Sequence, residues 1–263
     1  VYQYKQPSSG TVRNTSELLA TLKVQNGREV NHAIKLALPL NCEHKNLPIP
    51  PYILGLWLGD GSSASGSITI GEQDFAVINK EINAEGLEIR RGKHITHRLA
   101  RKNSTLSFTS ELRALNLIDN KHVPAEYEQG NYEQRLALLQ GLFDTDGCCN
   151  KDGQVEFTNT NHDIALSVYK LLSSCGVKAF LTSRQPLCTN AKGGAKRGAT
   201  AYTVKATTML NLFRLERKGS KLPTKLRETQ RWHYITNIEP VPTVKTYCIE
   251  VDSPSHLFLI LLH

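Results

Sequence analysis

Two stretches of the sequence share a pattern that decides the fold: PYILGLWLGDG at residues 51–61 and LLQGLFDTDGCC at residues 138–149. Each one predicts an apolar helix that ends on an aspartate followed by glycine, at Asp60 and at Asp146. A helix that is apolar on all sides is expected to be buried. Both stretches nevertheless contain internal glycine, which costs about 1 kcal/mol relative to alanine in a helix.

The spacing of small residues one helical turn apart explains the glycines inside these helices. The first stretch has Gly55 and Gly59, and the second has Gly141 and Thr145 at the same spacing. Such spacing lets two helix backbones approach closely. These four residues are therefore predicted to form a helix–helix interface between the two stretches.

If the two helices pack about a pseudo-twofold axis, their ends place Asp60 and Asp146 side by side. Two carboxylates at the negative ends of helix dipoles oppose ionisation unless a cation lies between them. Oxygen ligands favour Mg²⁺, or Mn²⁺, over zinc. A carboxylate pair that binds such a cation suits the hydrolysis of phosphodiesters, in which a metal ion activates the attacking water. Lys121 and Lys221 follow the two motifs at matching places and are predicted to polarise that water or to offset the phosphate charge. Either lysine alone is more simply a solvated side chain.

The segments that follow each motif repeat in the same order of helix, strand, helix, strands and helix. In each copy a polar turn with an aspartate suited to N-capping, Asp74 or Asp163, precedes a helix that a glycine closes at Gly86 or Gly176. The predicted fold class is α+β, with two repeats between β-rich flanks. The expected domains are an N-terminal flank, a first repeat, a second repeat and a C-terminal flank, at residues 1–48, 49–131, 132–229 and 230–263.

The chain of 263 residues carries a net charge of +8, which favours a polyanionic partner, with nucleic acid first. Residues 89–102 and 178–205 contain basic residues and no acidic ones. Any one of these cations alone is more simply solvated, but the matched stretches favour strands that read double-stranded DNA through its grooves and phosphates. The candidate DNA-contacting residues are Thr69, Arg90, Arg91, Lys93, His94, Thr96, Arg98, Gln154, Glu156, Thr158, Thr182, Arg184, Lys192, Lys196, Arg197 and Lys205.

With these residues in place, LGLWLGDG and LQGLFDTDG resemble the paired signature of the LAGLIDADG homing endonucleases, in the single-chain, intein-encoded branch. The resemblance covers residues 49–229. It implies two αββαββα repeats whose saddle-shaped sheets straddle DNA, in a monomer. It also implies a metal-dependent double-strand break with 3′ overhangs in a long asymmetric site, the uninterrupted host allele.

The resemblance assigns roles to individual residues. It implies that Asp60 and Asp146 are the catalytic, metal-binding acids, that Gly59 and Thr145 contribute backbone ligands, and that Lys121 and Lys221 are accessory groups. Asp144 occupies the earlier acidic position of the second motif, where the first has Leu58. We therefore expect Asp144 to be structural, with capping as one possible role.

The end of the chain, YCIEVDSPSHLFLI, resembles the strand near the C-terminal splice junction of inteins, with His256 in the place of its histidine. By this resemblance both flanks are parts of a self-splicing domain. An intein, however, begins with Cys or Ser and ends in His-Asn, whereas this sequence begins with Val1 and ends in LILLH. We do not expect the chain as given to splice.

Two rival functions stay open: a non-cleaving nucleic-acid-binding protein of the same fold, such as a maturase or regulator, and a splicing intein with an inert insert. Retention of both motif aspartates favours the nuclease. The six cysteines form no C-x-x-C pair, which is typical of reduced thiols in the cytoplasm or nucleus. No apolar run approaches the roughly 20 residues of a membrane span, so no membrane association is expected.

Overall fold

The computed structural model describes residues 10–24, 27–92, 94–102, 106–188, 196–247 and 249–252. They form a mixed fold of helices and strands, as the α+β class predicts. The chain divides into two compact units, one made of residues 1–36 with 231–263 and the other of residues 37–230.

The helices and strands alternate along the chain. The helices are α1 (Thr15–Ala20), α2 (Pro51–Asp60), α3 (Glu72–Ala84), α4 (Phe108–Ala114), α5 (Ala125–Glu128), α6 (Tyr132–Asp146), α7 (His162–Ser174) and α8 (Glu216–Gly219), with a short 3-10 helix at Glu228–Arg231. The strands are β1 (Lys23–Val24), β2 (Glu29–Val30), β3 (Ala33–Lys35), β4 (Ser67–Thr69), β5 (Leu87–Arg91), β6 (Thr96–Arg101), β7 (Gly147–Cys149), β8 (Gln154–Asn159), β9 (Ala179–Arg184), β10 (Leu187–Cys188), β11 (Lys196–Arg197), β12 (Ala201–Thr207) and β13 (Trp232–Tyr234).

The smaller unit contains α1 and two antiparallel strand pairs, β1 with β2 and β3 with β13. Asn14 caps α1 by accepting from the backbone N–H of Glu17, and the Glu17 carboxylate accepts from the Asn14 N–H in return. This reciprocal capping box satisfies two backbone donors that a short helix would otherwise leave open.

The larger unit is built around α2 and α6, which pack on each other over most of their length. A Cβ atom added at Gly55 would lie 2.4 Å from the Leu138 carbonyl oxygen, and one added at Gly141 would lie 2.2 Å from the Tyr52 carbonyl oxygen. Backbone therefore meets backbone across this contact, which only glycine permits. The apolar side chains around both helices are almost completely buried in the core.

Two antiparallel sheets lie in the larger unit, one after each of these helices. The first has the strand order β4-β6-β5 and the second the order β7-β8-β12-β9. The helix α3 packs against β5, and α7 packs against β8, β9 and β12. Each sheet therefore has one face covered by a helix and one face with polar, more exposed side chains.

The ends of α3 and α7 test the expected caps. The N-cap residues are Gly71 and Asn161, so the predicted caps at Asp74 and Asp163 are wrong, and both aspartates lie inside the first turn. The C-terminal glycines follow the prediction. Gly86 (φ 80°) and Gly176 (φ 77°) take the left-handed conformation that favours glycine.

Residues 37–48, which the sequence analysis places in the N-terminal flank, pack with the larger unit. The backbone N–H of Leu40 donates to the Ser174 carbonyl. The fully buried guanidinium of Arg135 donates to the carbonyls of Leu40, Ser174 and Gly130. In the described ranges every helix is too short or too polar to cross a lipid bilayer.

Candidate active site

The two motif aspartates lie at the C-terminal ends of the paired helices. Asp60 is the last residue of α2 and is exposed, while Asp146 is the last residue of α6 and is half-buried. Partial desolvation at the helix end raises the pKa of Asp60, and the charge of Asp146 raises it further, so the two carboxylates are within electrostatic range. Burial also raises the pKa of Asp146. The helix contact therefore gathers the two acids at one place.

The last turn of this contact is formed by Gly59 and Thr145. A Cβ atom at Gly59 would lie 2.0 Å from the Thr145 hydroxyl oxygen, which itself donates to carbonyls of its own helix. The threonine side chain thus fills the space that glycine leaves in the opposite helix. All four small residues predicted for the interface lie in the α2–α6 contact.

Lys121 closes the end of α2. Its ammonium donates to three carbonyl oxygens there, those of Leu58 (2.9 Å), Gly59 (3.4 Å) and Gly61 (2.7 Å). The ammonium also lies 5.0 Å from the centroid of the Trp57 ring. Burial lowers the pKa of Lys121, while the charges of Asp146 and Asp60 oppose this shift. Lys121 therefore brings a partly desolvated cation beside both acids.

Lys218, and not Lys221, takes the matching place in the second half. The Lys218 ammonium donates to four carbonyl oxygens at the end of α6, those of Phe143 (3.1 Å), Asp144 (2.8 Å), Thr145 (3.1 Å) and Gly147 (2.7 Å). Lys221 is exposed, and it is Lys218 that contacts the carbonyls where the accessory group was predicted. The four-residue helix α8 (Glu216–Gly219) directs Lys218 to the site, and the Lys-x-Pro pattern alone does not reveal that turn.

The acids and lysines interact across the two halves. The charges of Lys121 and Lys218 lower the pKa of both acids, so the four groups lie within electrostatic range of one another. Burial lowers the pKa of Lys218 as well, as does its neighbour Arg217.

Two asparagines that the sequence analysis missed connect Asp146 with Lys121. The amide of Asn159 donates to Asp146 Oδ2 (2.9 Å), and Asn159 Oδ1 accepts from the backbone N–H of Asn161 (2.8 Å). The Asn161 amide in turn donates to the backbone carbonyl of Lys121 (2.8 Å). These asparagines belong to the sequence NTN at residues 159–161. That sequence by itself indicates no more than an ordinary polar turn.

Asp144 is buried, and its carboxylate is engaged by the surrounding protein. Its carboxylate accepts from the hydroxyl of Tyr52 (2.9 Å) and from the backbone N–H groups of Arg214 (3.1 Å) and Leu215 (3.1 Å). These bonds confirm the expected structural, backbone-capping role. They also hold the segment that leads into α8 and therefore to Lys218.

Most of the predicted DNA-contacting residues of the first half share the uncovered face of the first sheet. The pairs Thr69 with Thr96 and Arg98 with Arg90 lie opposite each other in the strand register. Arg91 does not belong to this face. It pairs with the buried His97, and its guanidinium lies 4.6 Å from the centroid of the Phe75 ring. Arg91 is exposed, but the alternation of β5 places it on the α3 side and outside the row of Arg90 and Arg98.

The corresponding residues of the second half lie on the uncovered face of the second sheet. Glu156 of β8 forms an ion pair with Lys205 of β12 (3.0 Å), and the Thr158 hydroxyl contacts that of Thr203. Phe180, which the sequence analysis missed, lies next in the same row and is 54% exposed. The remaining predicted strand residues of this half are Gln154 at the start of β8, and Thr182 and Arg184 on β9.

The remaining candidates lie in turns. His94 is exposed in the turn between β5 and β6, with a left-handed φ of 54°. Lys196 and Arg197 form β11, which is exposed and pairs with β10 beyond the second sheet. Lys93 and Lys192 lie outside the described residues.

A divalent cation would find oxygen donors at the helix ends. Within the described part of the chain, no three His, Cys, Asp or Glu side chains gather as a ligand cluster. The available donors are the carboxylates of Asp60 and Asp146 and nearby backbone carbonyls. The carbonyls of Gly59 and Thr145, predicted as ligands, each accept a hydrogen bond from a lysine. This set suits Mg²⁺ or Mn²⁺ completed by water and phosphate oxygens.

Residues 133–198 match the model of the LAGLIDADG-like domain, so the resemblance of the second motif and the strands after it is confirmed. The replicative DNA helicase DnaB of Mycobacterium intracellulare is 34% identical over 98% of this chain and 42% of the helicase. The ribonucleoside-diphosphate reductase NrdEB subunit alpha of Bacillus subtilis (strain 168) is 26% identical over 61% of this chain and 17% of the reductase. The chain thus spans less than half the length of these curated relatives.

Among solved structures, mesophilic variants of the homing endonuclease I-DmoI align with 16% identity and a TM-score of 0.36, over 60% of this chain and 81% of theirs. I-DmoI in complex with DNA and Ca aligns with the same identity and TM-score.

Proposed function

We propose that this chain is a site-specific DNA endonuclease of the LAGLIDADG type, which makes a divalent-metal-dependent double-strand break in a long, asymmetric DNA target. The observation that carries the proposal is the meeting of Asp60 and Asp146 at the ends of α2 and α6, each beside a lysine, Lys121 or Lys218, that caps the same helix ends.

The chemistry of these four groups suits phosphodiester hydrolysis. Mg²⁺ bound between Asp60 and Asp146 would supply an activated water and stabilise the leaving oxygen. Desolvation raises the pKa of both carboxylates, so a divalent cation that neutralises them is favoured at this place. Lys121 and Lys218 would stabilise the extra negative charge of the phosphate during the reaction.

DNA recognition would use the uncovered faces of the two sheets. In the first half, Arg90 and Arg98 lie next to each other, and arginine is the side chain that most often reads guanine in the major groove. In the second half, the matching row contains Glu156, Lys205 and Phe180, which suits cytosine and a thymine methyl group. Different chemistry at matched positions fits an asymmetric target and a single-chain nuclease that acts as a monomer.

The comparisons support an insertion within host genes. A helicase and a reductase differ in activity, yet each resembles this chain over a minority of its own length. A segment shared by unrelated host proteins in this way is expected of an intein. Residues 1–48 and 230–263 would then be splicing-domain sequence, and residues 49–131 and 132–229 would be the two nuclease repeats between them. The proposed target is then the host gene without the insert.

The test is cleavage of a plasmid that carries a DnaB-type helicase gene from which the segment matching this chain has been removed. With Mg²⁺ we expect one double-strand break near the rejoined junction, with 3′ overhangs. With EDTA, or with the interrupted gene as substrate, we expect no break. The sites of cutting are read by sequencing the ends.

The rival functions predict different results. A maturase or regulator of this fold would bind a selected DNA or RNA and leave the plasmid intact in Mg²⁺. A library of randomised duplexes, selected first for binding and then for cleavage, separates this outcome from a wrong choice of host gene. Selected binding without cleavage of any bound sequence would contradict the nuclease.

A further inference from the structure

The two motif aspartates have different support from their surroundings. Asp146 accepts a hydrogen bond from the Asn159 amide (2.9 Å), and the Asn159 side-chain oxygen in turn accepts from the backbone N–H of Asn161 (2.8 Å). For the side chain of Asp60, no hydrogen bond is found among the described residues. Asp60 is exposed, while Asp146 is half-buried, so the second aspartate is the better fixed of the two.

The strand register of the two sheets identifies the residue of the first half that corresponds to Asn159. Gly61 bridges to Ile68 in the first half, and Gly147 pairs with Phe157 in the second. Two residues further along the chain stand Ile70, directly after β4, and Asn159, the last residue of β8. Ile70 is an apolar side chain, 2% exposed, and offers no donor to Asp60.

The helix caps that follow differ in the same way. Asn161 caps α7 through its side-chain oxygen, which accepts from the N–H groups of Asp163 and Ile164. Its amide group is then free to reach across the halves to the Lys121 carbonyl (2.8 Å). The cap of α3 is Gly71, which has no side chain to reach toward Lys218.

We propose that Asn161 is a positioning residue that holds Asp146, through Asn159, and Lys121 in one preorganised arrangement, and that the DNA strand served by Asp146 is cut before the strand served by Asp60. The proposal rests on the proposed nuclease function. Its physical basis is that a group held in its reactive geometry does not have to be ordered during the reaction. The consequence is a nicked intermediate with a defined strand.

The experiment is a time course on supercoiled plasmid carrying the cleaved target, with Mg²⁺ and with each strand labelled separately. For the unaltered chain we expect nicked circles to accumulate before linear product, with the nicks in one strand. Linear product without a nicked stage, or nicks shared equally between the strands, would overturn the inference while leaving the nuclease intact.

Substitutions at Asn161 separate positioning from folding. Asn161→Ser and Asn161→Asp both keep an oxygen that can cap α7, and both lose the amide that donates to the Lys121 carbonyl. We expect the first-strand nick to slow roughly tenfold, as for loss of an oriented hydrogen bond, with the second-strand rate and the melting temperature little changed. The strand bias should therefore collapse.

Gly71→Ser is the matched control, since it alters the corresponding cap of the first half, where an added Cβ meets nothing within 4 Å. It should leave the strand bias as it is. If the Asn161 variants slow both strands equally, Asn161 has only a structural role and the inference fails. If the unaltered chain cuts neither strand of any bound sequence, the proposed function and this inference fail together.

Discussion

The two halves of the larger unit are alike where their helices touch and different where their polar groups act. The helices α2 and α6 meet through glycine on both sides, and each ends in an aspartate beside a lysine. Beyond that contact, asparagines support Asp146, whereas Ile70 and Gly71 stand at the matching places after Asp60. Close packing tolerates little change in a repeat, but the polar positions around it have diverged.

The sheets repeat this contrast. The first sheet has three strands and places Arg98 beside Arg90, while the second has four and places Lys205 between Glu156 and Phe180. A duplicated framework that carries different side chains is suited to a target whose two halves differ. The predictions that follow first test the shared framework and then the differences.

The largest effect is expected at the helix contact. Gly141→Ala adds a Cβ atom 2.2 Å from the Tyr52 carbonyl oxygen, so the two backbones must separate and lose packing along their length. We expect the free energy of unfolding to fall by about 3 kcal/mol or more, since overpacking here meets backbone and not a flexible side chain. Urea denaturation measures this change.

Gly71→Ala is the control for that substitution, because a Cβ atom at Gly71 meets nothing within 4 Å. Loss of a glycine cap costs less than about 1 kcal/mol. Equal effects at Gly141 and Gly71 would show that the close approach of α2 and α6 does not limit stability.

A smaller effect, on activity, is expected at the lysine that the second half contributes. Lys218→Met removes the cation that lies against four carbonyls at the end of α6, and we expect the cleavage rate to fall about 100-fold. Lys221→Met, three residues along the chain, should cleave at the unaltered rate. If Lys221→Met cleaves slowly and Lys218→Met cleaves at the unaltered rate, the accessory lysine is Lys221, as the sequence predicts.

The smallest effect is expected from the repulsion between the acids. Partial desolvation at the helix end and the charge of Asp146 raise the pKa of Asp60 above its ordinary value of 3.8, so the folded chain binds that proton more tightly than the unfolded chain does. The associated stability is present at low pH and is lost as the pH rises through the raised pKa. Asp60→Asn should therefore raise the melting temperature near pH 7, by no more than about 1 kcal/mol in stability because the side chain is exposed.

Melting curves of Asp60→Asn and of the unaltered chain, recorded from about pH 3 to about pH 7, check this prediction. The curves should converge at the acidic end, where both forms are neutral at this position. If Asp60→Asn melts at a higher temperature by the same amount at every pH, the charge of Asp60 does not oppose folding.

Sequence reasoning succeeded where one local constraint decides the structure. Small residues at helical spacing located the contact of α2 with α6, and the glycines that end α3 and α7 have the expected left-handed φ. It failed where the answer depends on a partner distant in the sequence. Asp163 is as good a capping residue as Asn161, and the Asn161 side chain takes the cap while also contacting Lys121.

The positions of two further predicted site residues were missed for the same reason. Arg91 and Arg90 are neighbours in a basic segment, and only the pairing of Arg91 with His97 shows that it turns to the covered face. Lys218 and Lys221 are separated by one helical turn, and Asp144 decides between them by holding the segment before α8. Neither a composition nor a motif contains these long-range bonds.

The central claim is that Asp60 and Asp146 form one nuclease centre at the ends of the paired helices. Its most direct test is cleavage by Asp60→Asn and Asp146→Asn, with DNA affinity measured in Ca²⁺ and with Glu133→Gln as control. Glu133 is exposed at the opposite end of α6, about 20 Å along the helix. We predict that each aspartate variant binds the target as the unaltered chain does and makes the double-strand break at least ~1,000-fold more slowly, while Glu133→Gln makes it at the normal rate. Cleavage at the unaltered rate by either aspartate variant would contradict the account.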